Sequence, residues 1–464
     1  MDTGKPPVTS CDTPLPAKGT AHDRAVTDLL GRIKNWQFRG GTLLRASVSL
    51  PPIDPLLWLQ SHEQPPRCFW RNRDHTLALA GLGSACTLEA RSEAHYAAVL
   101  ARINALIGEE DAFFLGGASF EGRPGREAWA RFPAALFVLP AIELRQDEAG
   151  CRLAVNLLAE SQREFVREKT RLITALCQLR FDTAPPPPPP VRISRREDHM
   201  DFPACAGHID AILARIAGGS LRKAVLARRV QLHLDAPLPA FTTLRRLRAG
   251  SADSFCFAME RAGQCFMGCS PERLFSRIDR HVCTESLAGT VRRGETPEED
   301  RRLERLLLDD PKLVHEHELV TRYVHEQIAP WVTRAETPEH AGVVKLDRIQ
   351  HRYLPLCGTL RPGVMDEQLL RTLHPTPAVC GFPRREARDL ILEREPVPRG
   401  WYSGTFGVVS PRHAEFAVAI RSALVEDNQM MLYSGVGIVE GSRPEAEWNE
   451  LEAKLETFLS VVEG

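Results

Sequence analysis

Six consecutive prolines occupy positions 185–190 of this 464-residue chain. Proline has no N–H to donate and a fixed φ, so the run can enter neither a helix interior nor an inner strand, and it reads as an extended polyproline spacer. It falls between a helix-like stretch at 164–179 and another that starts near Phe202. A plain linker is the simpler reading, and a ligand for a proline-binding module is the alternative. Residues 1–20, rich in Pro, Thr, Ser and Gly, have little to bury and are expected to form a flexible tail. The expected organisation is thus a tail at 1–20, an N-terminal part at 21–181, a proline-rich connection at 182–197 and a motif-dense part at 198–464.

Charge balance narrows the partners. Lys and Arg total 59 against 60 acids, so no global field draws the chain to nucleic acid or to an anionic membrane, and a small molecule is the expected partner. No stretch reaches the roughly 18 apolar residues of a membrane span, the best one being broken by Pro133 and Pro140. Twelve cysteines are scattered behind an N-terminus without a basic-then-apolar leader, which points to reduced thiols and a cytoplasmic protein. Cys265 and Cys269 have no second Cys or His pair at zinc spacing, so they read as apolar packing and no zinc is expected.

Alternating apolar positions predict strands over 42–49, 75–82, 134–143 and 224–234, with a helix over 97–107. Residues 415–425 and 430–439 flank a turn-like Glu-Asp-Asn-Gln and read as an antiparallel hairpin. The fold class is mixed α/β, of the α+β kind, with much antiparallel sheet.

Two helices carry acids in informative places. Asp310 before Pro311 is a good helix start, and Leu313, Val314, Val320, Val324 and Ile328 mark its apolar face. Glu316 lies on that stripe, where a carboxylate is costly unless a cation or donor compensates it. A last helix begins near Pro444, and beside its apolar stripe Glu447, Glu450 and Lys454 follow at spacings of three and four. That second stripe reads either as a surface ion pair between Glu450 and Lys454 or as part of a hard-cation site. Magnesium takes one or two protein carboxylates plus waters and an anionic ligand, so one glutamate from each helix would suffice.

On the strands, Lys223 shares a face with Val225 and Ala227, so its amine is either poorly solvated and usable as a base or simply exposed at a strand end. Glu272 follows Pro271 at a forced bend, where a side chain can be aimed into a cleft or can merely close a turn. Arg421 shares its expected strand face with Ala417, Ala419 and Ala423, which leave room above a guanidinium suited to a carboxylate. Gly435, Gly437 and Gly289 allow close approach to the backbone.

Together these segments resemble the chorismate-utilising enzymes, the family that includes anthranilate synthase component I, and are most similar to isochorismate synthases. The resemblance rests on KAVLAR at 223–228, SPER at 270–273, ESLAGT at 285–290, HEHELV at 315–320, HPTPAV at 374–379, VAIRSAL at 418–424, YSGVGIV at 433–439 and EWNE at 447–450. They stand in family order and cover roughly residues 200–462. The resemblance implies a single enzyme domain over 21–464, a layered sandwich of large, mostly antiparallel sheets wrapped by helices, with the active site in the C-terminal portion.

It also implies a Mg2+-dependent isomerase that adds water at C2 of chorismate and expels the C4 hydroxyl. Ammonia-using relatives have glutamine at the position of Lys223, and enzymes that form a covalent intermediate have a nucleophilic lysine where this chain has Ala288, so no glutamine amidotransferase partner is expected. The implied roles are Lys223 as general base and Glu272 as general acid, with Glu272 protonated near neutral pH. Glu316 and Glu450, with Glu447 through water, are the implied metal ligands. Arg421, Gly435, Gly289, Thr290, Lys454, His351 and Ala378 are the implied substrate contacts, although the residues after His351 depart from the commoner family wording. A salicylate synthase, which goes on to expel pyruvate, fits the same motifs; a silent chorismate-binding protein would have lost one of these groups. The product would serve menaquinone, siderophore or salicylate synthesis, from a monomer or weak dimer.

Overall fold

The computed structural model describes residues 19–181, 190–345 and 349–463. The expected tail, apart from residues 19 and 20, and the proline run, apart from Pro190, lie outside the described residues.

Alternation of apolar and polar positions makes strands, and the strands assemble into two large antiparallel sheets. The 12-stranded sheet runs Leu44–Leu50, Gly150–Leu157, Ile142–Asp147, Leu77–Leu82, Arg67–Arg71, Phe255–Arg261, Gln264–Ser270, Ser422–Glu426, Gln429–Ile438, Lys223–Leu234 and Gly381–Phe382, with Ile193–Asp198 also paired to Lys223–Leu234. The 10-stranded sheet runs Val332–Glu336, Ile349–Leu360, His281–Arg292, Arg273–Ile278, His413–Val418, Thr405–Val409, Phe114–Ala118, Ala135–Leu139 and Cys86–Ala90, with Gly342–Lys345 also on Ile349–Leu360. Each sheet draws strands from both sides of residues 182–189.

An aromatic layer fills the space between the sheets. Phe257 of one stacks on Phe406 of the other with ring centroids 4.8 Å apart, and Trp70, Trp129, Phe266 and Trp401 are fully buried around them. Burial of rings of this size supplies much of the drive that holds two sheets face to face. Helices cover the outer faces, so the expected sandwich is what the chain forms. Among the described residues, no helix is long and apolar enough to cross a membrane.

Two expected strands are each divided between the sheets. The strand expected at 134–143 breaks at Pro140, which cannot donate to a ladder, into Ala135–Leu139 in one sheet and Ile142–Asp147 in the other. The strand expected at 415–425 ends at Val418 and resumes at Ser422 in the opposite sheet. Arg421 sits in that crossing at φ +51°, so the two-residue alternation that grouped it with Ala417, Ala419 and Ala423 does not hold. The hairpin survives in shortened form, with Ser422–Glu426 against Gln429–Ile438.

The thiol expectation also needs correction. Cys283 and Cys357 lie directly opposite each other on neighbouring strands, with Cα atoms 4.1 Å apart, and are joined as a disulfide. Register set 74 residues apart in sequence decides that pairing, and spacing along the chain carries no sign of it.

The helix Pro311–Ile328 begins as its sequence dictates: Asp310 caps it by accepting the N–H of Leu313 at 3.0 Å, and Pro311 opens the first turn. Its buried Val320, Tyr323, Val324 and Ile328 pack against the 10-stranded sheet, which fixes the direction of Glu316 one turn in. Asp310→Ala is expected to cost about 1 kcal/mol. Urea denaturation checks this; an unchanged midpoint would mean that packing alone sets the helix start.

Candidate active site

The two places where the chain passes from sheet to sheet lie side by side. One is the Pro271–Glu272 bend between Gln264–Ser270 and Arg273–Ile278, and the other is the crossing at 419–421. Hydrogen bonds tie them together: Ser270 Oγ donates to the Val418 carbonyl at 2.6 Å, Val418 N–H donates to the Glu272 carbonyl at 3.0 Å, and Cys269 N–H donates to the Arg421 carbonyl at 3.0 Å. Glu272 and Arg421 thereby project into one cleft.

Lys223, Glu272, Ala288, Gly289, Thr290, Glu316, His351, Ala378, Arg421, Gly435, Glu447, Glu450 and Lys454 all line this cleft, which encloses about 980 Å³ including its open mouth. None of the residues singled out from sequence lies elsewhere.

Three of its four carboxylates, those of Glu316, Glu447 and Glu450, are each met by a lysine. Lys223, buried at 1% side-chain exposure, donates to Glu316 Oε1 at 2.8 Å. Gly437 makes that pair possible, since a Cβ there would stand 2.9 Å from both Glu316 Oε1 and Lys223 Cε. Lys312 reaches across from its helix to Glu447 at 3.0 Å. Lys454 pairs with Glu450 at 2.7 Å and also donates to the Gly435 carbonyl at 2.7 Å. The Glu450–Lys454 pair is therefore formed, but at the wall of the cleft. Burial opposes ionisation of Glu450, yet Lys454, Lys312 and Arg421 together hold its carboxyl below the usual range.

Glu272 is the opposite case. Burial and the nearby Glu285 carboxylate push its carboxyl up to about 8, against the weaker pull of Lys223 and of the Thr376 hydroxyl, which donates to it at 3.4 Å. Arg73 grips Glu285 with two hydrogen bonds of 2.9 and 2.7 Å, and the Arg273 N–H adds a third at 2.8 Å. Glu272 is thus a carboxylic acid held protonated near neutral pH.

Two groups in the cleft keep polar atoms without partners among the described residues. The Arg421 guanidinium makes no hydrogen bond or ion pair with a described residue, and burial holds it below its ordinary proton affinity. His351 pairs its Nδ1 with the Thr290 hydroxyl at 2.9 Å, while its buried Nε2 has no partner. Burial, with Arg421 and Lys454 nearby, lowers His351 to about 3, so the ring is neutral and offers that nitrogen to a ligand.

Some functional neighbours were not singled out from sequence. Lys312 lies four residues before Glu316 on the same helix, a spacing that puts both on one face. Thr376 and Glu285 stand inside quoted motifs, but their action on Glu272 depends on contacts between distant segments. Tyr402, whose hydroxyl lies 2.8 Å from where a Gly435 Cβ would be, carried no sequence signal.

Chemically, the cleft offers a buried amine, a neutral acid, an unpaired guanidinium and three carboxylates. Glu316, Glu447 and Glu450 present oxygen donors only, from two helices, which is the donor set of a hard cation such as magnesium. Each lysine engages the Oε1 of its glutamate, which leaves the second carboxylate oxygen as a donor.

Comparison with known proteins follows the same line. Residues 32–463 match the family described as "Chorismate binding enzyme". The chain is 30% identical over 445 residues to an isochorismate synthase, MenF, of Bacillus subtilis, covering 91% of this chain and 94% of that protein. It is 30% identical over 436 residues to a "Salicylate biosynthesis isochorismate synthase" of Pseudomonas aeruginosa, at 91% of both chains. The solved structure of the menaquinone-specific isochorismate synthase of Escherichia coli superposes with a TM-score of 0.84 at 28% identity, over 94% of this chain and 99% of that one.

The raised pKa of Glu272 has a consequence for stability. Between the ordinary carboxylate value and about pH 8 the folded state keeps a proton that the unfolded state has released, so stability falls as pH rises through that window. Glu272→Gln keeps the shape without the titration and is expected to remove that fall. A tenfold change in proton affinity is worth about 1.4 kcal/mol, so the difference should reach at least that size. Urea denaturation of both proteins from about pH 5 to 8 measures it, and parallel curves would show that Glu272 titrates as an ordinary carboxylate.

Proposed function

Because this chain belongs to the chorismate-binding enzyme family, we propose that it is an isochorismate synthase, converting chorismate to isochorismate with Mg2+. The observation that carries this reading is the pairing, in one cleft, of a buried amine with a carboxylic acid kept protonated up to about pH 8. Adding water at one ring carbon while a hydroxyl leaves from another takes such a pair: one group to receive a proton and one to give it.

Lys223 takes a proton from water as the water oxygen bonds to C2. Both ring double bonds shift, the C4–O bond breaks, and Glu272 hands its proton to the departing hydroxyl. The water added equals the water lost, so the reaction is an isomerisation; solvent returns the proton from Lys223 to Glu272 before the next cycle. The carboxylate that accepts from Lys223, Glu316, is one of the groups assigned to the metal.

Glu316 and Glu450, with Glu447 through water, would hold Mg2+, which when bound supplies positive charge for the ring carboxylate. Arg421, unpaired within the protein, fits the substrate's second carboxylate, with backbone groups at Gly289, Thr290 and Gly435 and the side chains of Lys454, His351 and Ala378 around it. Ala288 offers no amine, so no covalent intermediate forms there. The interleaving of strands from both halves supports treating 21–464 as one enzyme domain.

Incubation with chorismate and Mg2+ followed by chromatography is expected to yield isochorismate; accumulation of salicylate and pyruvate would overturn the assignment in favour of a salicylate synthase. Lys223→Gln is expected to lower the rate by about 10²–10⁴-fold. Unchanged turnover in that variant would mean that another base is used. Glu450→Gln is expected to raise the Mg2+ concentration needed for half-maximal rate, and a normal titration would remove Glu450 from the metal site. For the wild type, kcat/KM should decline above about pH 8 as Glu272 ionises, and Glu285→Gln should move that limb to lower pH by removing the carboxylate that helps keep Glu272 protonated.

A further inference from the structure

The strand that lines the cleft at Gly289 and Thr290 begins, about 20–27 Å earlier at 3.3–3.4 Å per residue, with a second cluster of ligating side chains. His281 and Cys283 stand two residues apart on one face of that strand, and Cys357 is in register opposite Cys283 on the next. One ligand atom from each lies within 4.8 Å of the others, and among the described residues these three form the one His/Cys/Asp/Glu group so clustered. His281 is exposed and both sulfurs are half-buried, so an ion can reach them from solvent. None of the three lines the cleft.

A cross-strand disulfide needs no histidine, yet His281 Nε2 stands 3.4 Å from Cys283 Sγ. A tetrahedral zinc, with Zn–S of about 2.3 Å and Zn–N of about 2.0–2.1 Å, requires N and S about 3.5 Å apart and the two sulfurs about 3.8 Å apart. The nitrogen already meets the first requirement toward Cys283. The sulfurs meet the second only when the bond between them is broken, so the metal and the disulfide exclude each other.

We propose that, with Cys283 and Cys357 reduced, these two thiols and His281 bind a thiophilic divalent cation of the zinc class. The set is two thiolates and one imidazole, with water in the fourth position, and binding releases the two thiol protons. A small-molecule disulfide such as oxidised glutathione closes the site: two thiol–disulfide exchange steps form the Cys283–Cys357 bond and give two molecules of reduced glutathione, so each electron removed from the protein sulfurs appears on the glutathione. The site is independent of the reaction proposed for the cleft.

The full chain, reduced with a phosphine and freed of it under nitrogen, is titrated with Zn2+ against a chromophoric chelator and, separately, with Co2+. The reduced protein is expected to take up one more equivalent of Zn2+ than either the oxidised-glutathione-treated protein or Cys283→Ser/Cys357→Ser, and to show thiolate-to-cobalt absorption that both lack. His281→Ala should weaken the binding by about tenfold or more. Equal zinc uptake in all forms, no thiolate band with cobalt, or a disulfide that the phosphine leaves intact would each overturn the site. The comparison of reduced with oxidised wild type decides the matter even if the double variant folds poorly.

Discussion

Two strands leave one sheet and enter the other side by side, and the hydrogen bonds between their crossings govern the whole cleft. Ser270 to Val418 and Val418 to Glu272 are contacts between segments almost 150 residues apart, yet they fix where Glu272 and Arg421 emerge. A crossing of this kind leaves backbone groups that neither ladder can satisfy, and the two crossings satisfy each other's. The cleft lies beside these crossings, with Ala419 and Ile420 packed against the aromatic layer. The cleft is thus a by-product of dividing long strands between two sheets, and functional side chains occupy its edges without any interruption of the core.

The buried charges in that gap are balanced in a particular way. Three lysine–carboxylate pairs cancel, Glu285 is neutralised by Arg73, and Glu272 avoids the problem by keeping its proton. Arg421 is left over. An unpaired guanidinium in a desolvated cleft is unfavourable on its own, and it is tolerated where a ligand supplies the missing anion. A ligand with two carboxylates needs a second positive centre, which the proposed divalent ion on Glu316 and Glu450 would supply at the opposite wall. Glu316 also accepts from Lys223, so the proposed metal and the amine would share one carboxylate.

What could be read from sequence follows the range of the interactions concerned. The helix starts at Pro311 and Pro444, the strand from Lys223 and the stripe of Glu447, Glu450 and Lys454 depend on neighbours within a turn or two, and all were legible. Spacing brought out Glu316, Lys223 and Glu272 as candidates, but their convergence was legible only through the order of eight family motifs, because no local rule joins residue 223 to residue 450. The division of strands at 139–142 and 418–422 was missed, although Pro140 marked the first. The second depends on a left-handed arginine, a conformation that only tertiary contacts can enforce on a residue with a Cβ. The Cys283–Cys357 pairing and the action of Glu285 on Glu272 are matters of register between remote strands, and one sequence carries no measure of register.

The proton inventory of the proposed reaction explains why so dry a site can serve it. Over the proposed step Lys223 gains one proton and Glu272 gives one up, so the charge summed over the two is unchanged. Neither carboxylate of the substrate alters its charge as water enters and hydroxyl leaves. The field that Arg421 and the metal-bearing wall must supply is therefore the same for substrate and product, and a fixed arrangement of buried charges can provide it without reorganising. Only the separation of charge between amine and acid has to be stabilised. Glu316 beside the amine, and the Thr376 hydroxyl with the more distant pull of Lys223 on the acid, already point the right way for that separation.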